Sequence, residues 1–173
     1  AAALIAGLTA LPAAAEPPVR WVGAWAASQQ VPEPRNALPK DDLDDATLRK
    51  VVRVTQGGAQ IRIRLSNVFG TEPLTFRNVQ VARPLGPGAP AIDPATTRPV
   101  TFHGAAAITV PAGAEWTSDP VAFAVKPLER IAISVHLPKA PARQTGHPGS
   151  RTTSWTAKGD HAAAADLPGA RPV

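Results

Sequence analysis

The stretch TLRKVVRVTQGGAQIRIRLSNVFG, residues 47–70, decides the fold class. Val52 and Val54 alternate with Arg53 and Thr55, and Ile61, Ile63 and Leu65 alternate with Arg62 and Arg64. A period of two is that of a half-buried β-strand. Gly57-Gly58 lies between the two runs, and a glycine pair supplies the positive φ angles of a tight turn. The stretch therefore predicts an antiparallel hairpin, Thr47–Gln56 with Ala59–Ser66, apolar on one face and cationic on the other. A lone hairpin is marginal in water, so the remaining chain has to cover the apolar face.

Outward from this stretch the same signals recur. Trp21–Ser28 is an apolar run that predicts a first strand, with Trp21 and Trp25 as core residues. Leu74–Ala82 alternates with a phase break near Asn78, which a β-bulge explains. Pro84–Pro99 contains five prolines, at 84, 87, 90, 94 and 99, and predicts a long loop. Further strands are expected at Val100–His103, Ala107–Val110, Thr117–Val125, Arg130–Leu137 and Ser150–Ala157. In Arg130–Leu137, Ile131, Ile133, Val135 and Leu137 alternate with Ala132, Ser134 and His136. About eight or nine short antiparallel strands with turn residues between them predict an all-β fold, a β-sandwich of jelly-roll kind. The 20 prolines among 173 residues argue against long helices. The length suits one domain with a real core.

The chain has no cysteine, which excludes disulfides and thiolate chemistry. Its formal net charge is +5, but the basic residues are dispersed, so a solvated cationic surface is expected rather than a nucleic-acid partner. Residues 1–15, AAALIAGLTALPAAA, form a short apolar run ending in small residues. They match the apolar region and cleavage site of a partial signal peptide, with Ala13 and Ala15 at the two recognition positions. The run is too short for a stable membrane span. It implies a secreted or extracytoplasmic protein whose folded domain occupies residues 16–173.

Catalytic signals are sparse. There is no Gly-x-Ser-x-Gly and no Gly-Asp-Ser to present a nucleophilic serine. Ser150 lies near His147, and Asp160 adjoins His161, but neighbouring positions of a strand point apart. His103, His136, His147 and His161 have no metal-ligand spacing, and the cluster Asp41, Asp42, Asp44 and Asp45 lacks the glycine and spacing of a calcium loop. Asp93, Glu115, Asp119 and Glu129 are carboxylates with nothing to single them out. No cofactor is implied. The candidate ligand-binding residues are Trp116 and Trp155, which flank polar residues and suit sugar stacking if exposed. The candidate interdomain or anion surface is the basic stripe of Arg53, Arg62 and Arg64, with Arg49 in the same series.

Five segments in order carry a resemblance: WVGAWAASQ at 21–29, TLRKVVR at 47–53, GGAQIRIRLSNVFGTEPL at 57–74, AITVPAGAE with SDPV over 107–121, and TSWTAKGDH at 153–161. Together they resemble the N-terminal part of secreted bacterial SGNH/GDSL-type hydrolases of the two-domain, esterase or lipase-like kind. The resemblance covers nearly all of Trp21–Val173. It implies a β-sandwich preceding an α/β catalytic domain, with the nucleophile block, oxyanion residues and late Asp-x-x-His in that second domain. None of these motifs occurs in the chain, so the resemblance assigns no catalytic residue to it. It implies an accessory domain whose partner is a downstream catalytic domain of the same polypeptide, acting on a carbohydrate or lipid ester. Leu167–Pro172 then reads as the approach to a following strand or linker. The competing expectations are a stand-alone carbohydrate-binding module, which needs Trp116 and Trp155 exposed and coplanar, and a complete small enzyme with an unrecognised site.

Overall fold

The structure, a computed structural model, describes residues 19–173; the segment 1–15, expected to be a partial signal peptide, lies outside the described residues. After a 3-10 turn at Pro34–Asn36 and one turn of helix, α1 (Lys40–Leu43), the chain is built of strands. These are β1 (Ala46–Arg53), β2 (Arg64–Ser66), β3 (Leu74–Pro84), β4 (Ile92–Pro99), β5 (Ile108–Val110), β6 (Glu115–Thr117), β7 (Arg130–Leu137), β8 (Thr153–Lys158) and β9 (Arg171–Pro172). The fold is all-β and sandwich-like, with unequal layers. A seven-stranded antiparallel sheet runs β4-β3-β7-β1-β8-β9, with β5 also on β3, and the second sheet is the pair β2-β6.

The predicted hairpin is not formed. β1 lies between β7 and β8, pairing Val52 with Ile131 and Val51 with Thr153. Residues 58–66 cross to the other layer and pair with 115–125, through Gly58 with Val125, Ile61 with Val121 and Leu65 with Trp116. The glycine pair does not make a left-handed turn either, because neither residue has a positive φ. Gly57 is there for close approach: a Cβ on it would stand 2.8 Å from Pro127 Cδ and 2.9 Å from the Val125 carbonyl oxygen. The alternation itself holds, with Ile63 and Leu65 buried and Arg62 and Arg64 exposed.

The large sheet is buried on both faces. One face contributes Val52, Val79, Val81, Ile131, Val135 and Leu137 to a main core closed by Ile63, Leu65, Val121 and Phe123 of the smaller layer. The other face carries Val51, Ala82, Ile92, Ala132, Trp155 and Ala157, with Leu167 packed on it. Strict alternation sorts β7 between the two, with Ile131, Val135 and Leu137 on one side and Ala132 on the other. The bulge expected in β3 is present. Its register against β7 shifts between Arg77 and Gln80, Asn78 adopts φ 43°, and Phe76 and Val79, three positions apart, enter the same core.

Four further expectations are corrected, the first being that Thr117–Val125 is not a strand, since β6 ends at Thr117 and only isolated bridges at Val121 and Val125 follow it. Trp21–Ser28 is not a strand, and Trp21 and Trp25 are 41% and 39% exposed rather than core. The proline-rich 84–99 segment is not all loop, since β4 occupies its second half. There Pro94 and Pro99 are tolerated because the strand lies at the sheet edge. Val100–His103 makes only a bridge, between Phe102 and Ala105.

Candidate functional site

The basic series separates into four environments. Arg49 points into the second core and is 0% exposed. Its guanidinium donates to Ser134 Oγ at 2.7 Å and to the carbonyls of Pro90, His161, Ala162 and Ala164. Burial lowers its pKa to about 10, against which the Asp166 carboxylate pulls upward. Arg62 stacks on the Trp21 ring at 4.4 Å, and Arg64 faces Glu115 at 3.6 Å across the β2-β6 pair. Arg53, at the end of β1, lies directly opposite Arg130 of β7, and its Nε donates to the Leu128 carbonyl at 3.0 Å.

The two candidate tryptophans are not brought together. Trp155 is 5% exposed in the second core, where its register partner on β1 is Arg49. Trp116 is half-buried against the main core, edge-on to His103 with ring centroids 5.7 Å apart and planes at 69°. Trp116, on the small sheet, packs on the core at one face of the large sheet and Trp155 lies in the core at the other, so the coplanar exposed pair of a sugar platform is absent.

The aromatic residues that do reach the surface are those of the N-terminal strip. Val19, Trp21, Val22 and Trp25 are exposed along a segment without regular secondary structure. It is tied down where Ala24 O accepts from Thr55 N and Thr55 Oγ1, and where Gln30 bridges to Gly146. The Lys50 ammonium stands 5.9 Å from the Trp25 ring, and burial pulls its pKa below the ordinary lysine value. An apolar run of this kind predicts a strand with its tryptophans in the core, and the structure places them at the surface instead. A counter-signal was legible: the run ends in small residues and does not alternate with polar ones.

Beside Trp25 is a cleft of about 270 Å³ lined by Val51, Arg53, Pro87, Arg130 and residues 150–153. It contains three arginines, including Arg151, and no carboxylate. Sequence reasoning reached Arg53 only. Arg130 joins it through the β1-β7 register, and Arg151 through a loop in which Gly149 and Arg151 both have positive φ.

Most acid and base groups elsewhere are engaged in pairs or braces, although His136 Nδ1 and His147 Nδ1 are buried without a hydrogen-bond partner among the described residues. His136 Nε2 is 2.9 Å from Asp45 Oδ1, and its Nδ1 is 3.8 Å from Asp160 Oδ2. Asp160 in turn accepts from Asn78 Nδ2 at the β3 bulge. This cluster ties β7 to β3 and to the 159–162 turn. Ser150 N bonds the His147 carbonyl, a backbone turn. Glu129 is engaged by Arg83 and Lys126 N, while Asp119 accepts from Thr101, His103 N and Gly104 N. Among the described residues no hydrogen bond joins a hydroxyl to a histidine ring, and no group of three or more acidic or histidine side chains is placed to hold a metal ion. No helix among them is long and apolar enough to cross a membrane.

Asn67, in the LSN-x-FG segment, is a structural brace. Its buried Nδ2 donates to the carbonyls of Glu72, Val110 and Pro111. A Cβ on Gly70 would fall 1.8 Å from Asn67 Oδ1, so glycine there leaves room for the brace. In comparison with known proteins, neither a protein-family profile nor any curated protein matches the chain.

Proposed function

We propose that this chain is the accessory, non-catalytic β-sandwich domain of a secreted ester hydrolase of SGNH/GDSL kind. In this reading it braces a catalytic domain of the same polypeptide and shapes one wall of its cleft. The ordered motifs from Trp21 to His161 suggest the family, and the exposed strip Val19–Trp25 supports the docking role. Tryptophan and arginine are enriched at protein interfaces, and exposed apolar patches rimmed by polar groups mark contact sites. Here Trp21 lies stacked with Arg62 on an outer surface, while Trp155 is enclosed. The ester bond, of a carbohydrate or a lipid, would be cleaved by residues of the partner domain.

The double variant Trp21→Ser with Arg62→Glu tests the docking role. It removes surface groups only, so the chain on its own should keep its Tm nearly unchanged. The natural polypeptide carrying both domains should lose several degrees. Equal loss in both, or none in either, would contradict the docking role.

A further inference from the structure

The cleft beside Trp25 is cationic beyond what the fold requires. Arg53 and Arg130 are directly opposed on β1 and β7, and like charges in that relation destabilise a sheet. Arg151 adds a third guanidinium from the facing loop, held in the left-handed backbone region at φ 53°, which is uncommon for a residue with a Cβ. Elsewhere in the described residues four arginines pair with acids, Arg35 with Glu33, Arg64 with Glu115, Arg83 with Glu129 and Arg171 with Asp42, while Arg20, Arg49, Arg62, Arg77, Arg98 and Arg143 form no such pair. Arg53, Arg130 and Arg151 have no carboxylate partner among the described residues. Neither Arg130 nor Arg151 donates a side-chain hydrogen bond to a described residue.

We propose that this cleft binds a small oxyanion-bearing ligand, whose carboxylate, sulfate or phosphate group sits among Arg53, Arg130 and Arg151. Guanidinium forks match the geometry of such groups with paired hydrogen bonds. Ser150, Thr152 and Thr153 offer hydroxyls for the rest of the ligand, and Trp25 and Pro87 provide an apolar wall. A volume of about 270 Å³ holds a molecule of monosaccharide size. The site shares Trp25 with the docking strip, but its three arginines come from β1, β7 and the loop at 149–152, so its test is made on this chain alone.

Titration calorimetry at low ionic strength tests the proposal with glucuronate, glucose 6-phosphate and inorganic sulfate, and with uncharged glucose as reference. The expected result is saturable binding of at least one anion, absent for glucose and weakened by added salt. The anion that binds best identifies the oxyanion. Arg130→Gln and Arg151→Asn, the latter suited to the left-handed backbone, should each lower affinity at least tenfold. Arg98→Gln, an exposed arginine on β4, should leave it unchanged. Because Arg130→Gln removes one of two opposed charges, its Tm without ligand at low salt should equal or exceed that of the wild type. No saturable binding by any of the three anions, equal binding of glucose, affinities indifferent to Arg130 and Arg151, or a lowered Tm for Arg130→Gln would overturn the proposal.

Discussion

Arg49 shows how a single side chain closes one face of this molecule. Its guanidinium reaches the carbonyls of Pro90, His161, Ala162 and Ala164 and the hydroxyl of Ser134, so it pins two covering segments to the second core. Arg49→Met should cost at least about 3 kcal/mol, because each buried acceptor left without a donor costs about 1–3 kcal/mol. Arg49→Lys, which keeps the charge but loses the planar fork, should fall between. Urea unfolding measures the loss, and limited proteolysis should cut first within 159–167; stability equal to wild type would contradict the pinning role. Asp119 offers a pH test. Donation by Gly104 N, the Thr101 hydroxyl and His103 N holds its carboxyl below the ordinary carboxylate value. A depressed folded pKa adds stability above the unfolded value of about 3.9, and that stability is lost as pH falls through the folded value. The stability gap between wild type and Asp119→Asn should therefore be constant from pH 7 to 5 and shrink below about pH 4. A gap independent of pH would contradict the assignment.

At the level of elements, period and partner proved separable. Alternation placed Ile61, Ile63, Leu65 and the whole of β7 on the right faces, because the pleat fixes side-chain direction whatever strand lies alongside. It could not choose the partner of residues 59–66, since both layers offer an apolar face and Gly57 fits a turn as well as a close contact with Pro127. The bulge at Asn78 was legible as a broken phase. β4 was not, because prolines that exclude a central strand are compatible with an edge. Trp155 and Trp116 were indistinguishable by local sequence for a similar reason. β8 is buried on both faces, so the polar neighbours Ser154 and Thr156 signalled exposure that does not exist. Trp155→Ala should cost about 3–5 kcal/mol by emptying the second core. Trp116→Ala, at a half-buried position, should cost clearly less. Chemical denaturation of the two variants side by side decides it, and equal losses would contradict the two-core description.

Across the whole molecule, a large sheet covered on both faces accounts for the few exposed aromatic groups, and the strip around Trp21 stands out against it. The all-β class followed from period and punctuation alone. The three-arginine cleft did not, because its members lie on β1, β7 and a loop and meet only through the register of the large sheet. The central claim is that this domain works as the front part of a larger secreted hydrolase. The most direct test is the intact mass of the natural polypeptide recovered from the culture medium. The account predicts a species heavier than the 17.9 kDa of this chain by ~20 kDa or more, one further ordinary domain. A secreted species at or slightly below 17.9 kDa would contradict it.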